Sequence, residues 1–237
     1  MRRLALLLLL LAPACSNATP YSTTVGVLRP GATMTIRVAD ATLAAYQPAT
    51  GQPRDRFTVS ATARGNSPPA APKIRPAGKG IVIDAPQPLQ SLLVRVPDSV
   101  ALIVDSRHGD VSVTDVKGSA RIVAAEGSVR VFMRDGYAQA ATQHGNVSVA
   151  MGATTWPGTL AFSAVNGDVE VSVEETSAFH VHLHTDSGTL FTDFNLRGTS
   201  NGSSETIDGA VNGGGAQRID VEVTRGSIRL LRLHAQA

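Results

Sequence analysis

Residues 179–184 read FHVHLH, the sharpest candidate for chemistry in the chain. On a strand whose Phe179, Val181 and Leu183 point inward, His180, His182 and His184 share the outer face. Two histidines at i and i+2 can share a zinc ion, and a third protein ligand completes the usual set. Further on, RIDVE repeats the alternation, and aligning the two segments stacks Arg218 on His180, Asp220 on His182 and Glu222 on His184. Asp220 can then serve as a ligand or as an acceptor behind one, and Glu222 likewise. Arg218 opposes a cation beside His180. The same face also reads as an ordinary polar surface rich in histidine, or as a pH-sensitive patch near the unperturbed histidine pKa of about 6.5.

Other polar sets are weaker. His108, Glu126, His144, Asn166 and Ser187 each precede a glycine and form a second row, but its histidines would stand two strand spacings apart, about 9.6 Å. A glycan-cleaving enzyme needs acids and bases converging on one face, with carboxylates about 5–9.5 Å apart. The outward positions Ser112, Arg130, Ser148 and Glu170 offer one acid and one base, and the Glu174-Glu175 pair falls in a turn. Neither GxSxG nor HExxH occurs. The chain is therefore expected to be non-catalytic, with no cofactor beyond a zinc ion on the histidine strand.

What would position these residues is a repeat. Gly109, Gly118, Gly127, Gly136 and Gly145 lie nine residues apart, and after a four-residue insertion the series resumes at Gly158 and Gly167. GDVSV, GSVRV, GNVSV and GDVEV follow Gly109, Gly127, Gly145 and Gly167, and GTLFT and GSIRL keep the rule at Gly188 and Gly226. Strict alternation over five residues is a strand with one buried face. Two such halves make an 18-residue unit with no room for a helix. Units of this kind form a parallel β-solenoid, each coil pairing with the next at about 4.8 Å. The predicted core is Val111, Val113, Ala120, Ile122, Val129, Val131, Ala138, Ala140, Val147, Val149, Leu160, Phe162, Val169, Val171, Val181, Leu183, Ile219 and Val221. The alanine coil should be pinched or filled by a neighbour. Glycine suits the sharp corners because it adopts positive φ without steric cost. The residues behind it (Asp110, Ser128, Asn146, Asp168, Thr189, Ser227) form a corner row able to hydrogen-bond the turns.

Two stretches break the pattern. GATTWPG carries Trp156, and NLRGTSNGSSETIDGAVNGGGAQ reads as a long surface loop, inserted at 195–216. Upstream, TMTIRVAD, RFTVSATA, GIVID and SLLVRVPDS read as strands around a Pro/Ala-rich loop, NSPPAAPKIRPAG. This region, 16–98, is expected to be a linker and an irregular N-terminal β cap, because an open solenoid end exposes unpaired edges. The solenoid proper spans 99–234, and GSIRLLRLH offers Ile228, Leu230 and Leu233 to cover its far end.

Residues 1–15 carry Arg2 and Arg3, an apolar run from Leu4 to Leu11 and the small triplet Ala12-Pro13-Ala14, the order of a secretory signal too short to span a bilayer. Cys15, the only cysteine, stands where a bacterial lipoprotein signal places its lipidated residue, although Ala12 and Pro13 depart from that pattern. Lipidation would anchor the chain to a membrane, with Ser16 favouring the outer one, and cleavage after Ala14 would leave a free thiol. The chain has 21 Lys and Arg against 19 Asp and Glu, and 4% aromatic residues. Without clustered basic excess or stacking platforms, nucleic acid is not an expected partner.

From LLVRVPDSVALIVDSRHGDVSV through the G-[DSN]-V-x-V units, the chain resembles a bacterial putative-adhesin family, otherwise a domain of unknown function. Residues 24–234 carry the resemblance, including the turn at Arg29-Pro30-Gly31. It implies a parallel β-solenoid in the periplasm or at the cell surface, and it transfers no catalytic residue. The expected function is a structural or interaction module of the envelope with a protein or glycan partner. The alternatives are a metal- or pH-responsive module using the histidine strand, and a glycan-active β-helix.

Overall fold

The computed structural model describes residues 21–47, 53–152 and 154–234. Upstream of the repeat, the described residues form β1 (Tyr21–Val27), β2 (Thr33–Asp40), β3 (Thr42–Tyr46), β4 (Arg56–Ala63), β5 (Lys73–Ala77), β6 (Gly80–Asp84) and β7 (Leu89–Arg95). The repeat follows as β8 (Ala101–His108), β9 (Val111–Thr114), β10 (Ser119–Glu126), β11 (Val129–Met133), β12 (Tyr137–His144), β13 (Val147–Met151), β14 (Thr159–Asn166) and β15 (Val169–Glu174). The last segment gives β16 (Phe179–Ser187), β17 (Leu190–Thr192), β18 (Gly198–Asn201), β19 (Ser204–Val211), β20 (Arg218–Arg225) and β21 (Ile228–Leu233).

The strands form two large, mostly parallel sheets with no closed barrel. Each 18-residue unit sends one strand to each sheet: β8, β10, β12 and β14 lie in sheet B, and β9, β11, β13 and β15 in sheet A. The predicted period is the observed register, since Ala120 lies beside Ala138 and Val129 beside Val147. All the predicted core side chains are buried between the sheets. The alanine coil is filled rather than hollow: Phe162, the partner of Ala140 in the next strand, is fully buried beside it.

The order of coils departs from the expected succession at both ends. Along the stack, β20–β21 lies between β14–β15 and β16–β17, and β2–β3 lies between β6–β7 and β8–β9. The final stretch of sequence therefore does not close the far end. Ile228 and Leu230 are fully buried and Leu233 half-buried, on a strand flanked by β15 and β17. Likewise β2–β3 and β6–β7 continue the same two sheets and are not an irregular cap.

Capping is done by antiparallel strands. At one end β4 and β1 add to sheet A beyond β7, and β5 adds to sheet B beyond β6. At the other, β19 and β18 form a hairpin along β16. This overturns two loop expectations. The Gly/Ser stretch at 195–216 contains that hairpin, and KIRPA, expected in a loop, is edge strand β5. Pro76 suits an edge, where a missing donor costs no ladder bond. The tryptophan insertion also turns inward: Trp156 is 4% exposed, its Nε1 donates to the Arg218 carbonyl at 3.2 Å, and its ring stands 6.0 Å from Phe179.

Candidate functional site

β16 carries its histidines as the alternation requires, with Phe179, Val181 and Leu183 buried and the three rings on the outer face. Arg218, Asp220 and Glu222 stand beside His180, His182 and His184 in the predicted pairing. The opposite flank of β16 escaped sequence reasoning. There β19 sets Asp208 beside His182 and Thr206 beside His184. His182 Nδ1 lies 2.7 Å from Asp208 Oδ1; His184 Nδ1 lies 2.9 Å from Thr206 Oγ1 and its Nε2 3.1 Å from Asp186 Oδ1. The two rings stack with centroids 6.3 Å apart and 9° between planes.

The other two predicted ligands have different partners. Asp220 accepts a 2.9 Å hydrogen bond from Arg218 Nε. That bond, helped by the carboxylate charge, raises the Arg218 pKa above its ordinary value. A Cβ on Gly214 would lie 2.7 Å from His180 Nε2, so the His180 ring covers the turn after β19. The structure thus groups His182 and His184 with Asp208, Thr206 and Asp186. Among the described residues no three or more His, Cys, Asp or Glu side chains converge to hold a metal. The signal for the missing partners was Gly202-Ser203, a two-residue hairpin loop of the Gly-X kind between GTSN and SETIDGAV, with Gly202 at φ +65°.

The second polar row stacks as expected from His108 to Asn166, but Arg225 stands between Asn166 and Ser187 because β20 is intercalated there. Arg225 Nε donates to Asn166 Oδ1 at 2.6 Å, and His108 Nε2 lies 3.6 Å from Glu126 Oε2. Ser112, Arg130, Ser148 and Glu170 also form one row, in which Arg229 joins Glu170 at 3.3 Å. On the outer face of sheet B, the middle strands leave a shallow hollow of about 590 Å³ bordered by Arg37, Asp105, Val123, Ala141, Ser163 and Val165. Val123 and Val165 are 41% and 42% exposed. Cys15 lies outside the described residues.

The corner row binds coil to coil. Asp110 Oδ1 accepts from the Ser128 N–H at 2.9 Å, Asn146 Oδ1 from the Asp168 N–H at 2.9 Å, and Asp168 Oδ1 from the Ser227 N–H at 2.8 Å. Asn146→Ala removes the acceptor of the Asp168 N–H, with an expected cost of about 1 kcal/mol. Thermal unfolding should show a Tm about 2–4 °C lower; an unchanged Tm would mean that water replaces the amide without loss.

Residues 99–231, more than half the chain, match the family model described as Toastrack DUF4097. The chain belongs to this family. The Toastrack match starts just before β8 and runs through the intercalated β20 and into β21. A solved structure of a putative cell adhesion protein from Clostridium sporogenes is 11% identical, aligning over 90% of this chain and 100% of its own with a TM-score of 0.50. That likeness shows the fold. A putative adhesin from Bacteroides fragilis aligns over 91% of this chain and 98% of its own, at 8% identity and a TM-score of 0.34. No curated protein matches this Toastrack chain.

Proposed function

We propose that this Toastrack chain is an exported, non-catalytic β-solenoid of about 18-residue coils that presents a sheet face to a protein or glycan partner at the cell envelope. The observation that carries the reading is the hollow on sheet B, where Val123, Val165 and Ala141 stand outward on a rigid parallel sheet and the Arg37–Asp105 pair borders them at 3.9 Å. An apolar centre with a polar rim is the general anatomy of a recognition surface. The export-type leader and the cell-adhesion name carried by the Clostridium sporogenes neighbour support an envelope location. Lipidation of Cys15 would hold the module at the membrane.

The test is a photo-crosslinking amino acid placed in living cells at Val123 on sheet B and, separately, at Phe132 on sheet A. A discrete product of higher mass from Val123 and not from Phe132 is the expected result. No discrete product from either position, with the protein present in the envelope fraction, would overturn the interaction reading.

A further inference from the structure

Charge is distributed unevenly along the stack. Residues 21–98, whose strands all lie at one end of both sheets, contain nine Arg and Lys against four Asp. Residues 99–234 contain ten Arg and Lys against fifteen Asp and Glu, while the far end, 179–234, is nearly balanced at five against six. One end of the molecule is thus basic, and the far end is nearly neutral.

Much of that basic charge is uncommitted. Arg37, Arg54, Arg64 and Arg75 pair with Asp105, Asp98, Asp40 and Asp84. Arg29, Arg56, Lys73 and Lys79 are exposed and make no ion pair among the described residues. They sit on the outer strands and their turns: Lys73 on β5, Lys79 in the turn from β5 to β6, Arg56 on β4 opposite Val27 of β1, and Arg29 in the turn that follows β1. The β1 edge also displays Tyr21, Val25 and Val27 at 67%, 59% and 61% exposure. Arg56 and Arg29 stand at the Val27 end of this edge, and the two lysines lie at the same end of the stack on the other sheet. Cationic side chains sharing one end of a molecule with an exposed aromatic and two aliphatics suit the boundary between headgroups and acyl chains.

The chain's own connection points the same way. Tyr21 follows Cys15 by six residues, a reach of about 20 Å when fully extended. A lipid on Cys15 would therefore hold the β1 end of the stack, and not the far end, within reach of the leaflet. We infer that the N-terminal end of the stack, formed by the outer strands β1, β4 and β5, docks on an anionic lipid surface. The inference rests on the envelope reading for the presence of a leaflet; the surface itself does not depend on whether Cys15 is acylated. In this orientation the sheet faces stand upright from the membrane, and the hollow on sheet B is open to a partner from the side.

The test uses the chain from Ser16, which keeps every described strand and lacks Cys15, so that any binding comes from the surface. It is sedimented at low salt with vesicles of phosphatidylcholine alone and of phosphatidylcholine with roughly a quarter phosphatidylglycerol. Binding to the anionic vesicles only, abolished by high salt, is expected. Lys73→Glu/Lys79→Glu should reduce the partition coefficient at least about tenfold, and Lys117→Glu/Arg197→Glu, the same charge change elsewhere, should alter it by less than about twofold. Equal loss in the two variants would reduce the effect to net charge and overturn the assignment. So would binding to both vesicle types or to neither. Acylation of Cys15, read by mass spectrometry of the cellular protein, can fail while this surface still binds, so the two readings are separable.

Discussion

Gly145→Ala is expected to lower the melting temperature by about 6–12 °C, corresponding to roughly 3 kcal/mol in a chain of this size. Two costs meet at this position. Its φ is +145°, which a residue with a Cβ adopts only with strain, and a Cβ built there lies 2.2 Å from the carbonyl oxygen of Gly127 in the preceding coil. Backbone cannot swing aside as a side chain can, so the coils must separate and weaken the hydrogen bonds on either side. Gly158→Ala isolates the first cost: φ is +66° there and nothing lies within 4 Å of the added carbon. It should cost about 1 kcal/mol, or 2–4 °C. Gly188→Ala isolates the second, since a Cβ there would lie 1.9 Å from the Gly226 carbonyl oxygen without a left-handed φ. If Gly145→Ala and Gly158→Ala melt alike, coil contact is not what the glycine row serves.

That comparison also marks how far the sequence could be read. Alternation and the nine-residue glycine spacing sufficed for the buried faces, the register of β10 on β12 and even the pairing of β16 with β20. These are local properties of a strand repeated at a fixed period, and any residue's neighbour follows from counting. Turn chemistry accounted for only part of the glycine row, because a contact with the carbonyl of the coil below cannot be seen in one corner alone.

Order along the stack is a different kind of property. Nothing in GSIRLLRLH distinguishes a terminal coil from an inserted one: Ile228 and Leu230 are fully buried in either case. The surroundings of the histidine strand were legible on one flank only. Asp220 was found because β20 shares the period of β16, whereas Asp208 was missed because β19 runs antiparallel and obeys hairpin register. In the upstream region TMTIRVAD, RFTVSATA and GIVID coincide with β2, β4 and β6, and only their places in the sheets were hidden.

Intercalation makes the β20–β21 coil an interior part, and ending the chain at Gly213 should lower the Tm by at least about 15 °C or abolish cooperative unfolding. The truncation removes β20 and β21, with Ile219, Val221, Val223, Ile228 and Leu230 all buried. At roughly 2 kcal/mol each, their burial is on the order of 10 kcal/mol, as large as the whole stability of an ordinary domain at about 5–15 kcal/mol. In a solenoid whose coils stack in sequence order, losing the last coil frays one end and spares its neighbour. Here β14 and β16 both lose a parallel partner at once, and the β18–β19 hairpin loses the coil that joins it to the stack. Trp156 also loses the Arg218 carbonyl that holds its indole. Hydrogen exchange gives the local reading: amides of β16 should lose protection while those of β10 and β12 keep most of theirs. The outcome that would sink this reading is a truncated chain of unchanged Tm with β16 still protected, because β16 would then have slid directly onto β14. The five-residue segment from Glu174 to Ala178, its turn tied down by Asn212 Nδ2 donating to the Glu175 and Ser177 carbonyls at 2.7 and 2.8 Å, is shaped for the wider gap and works against that slide.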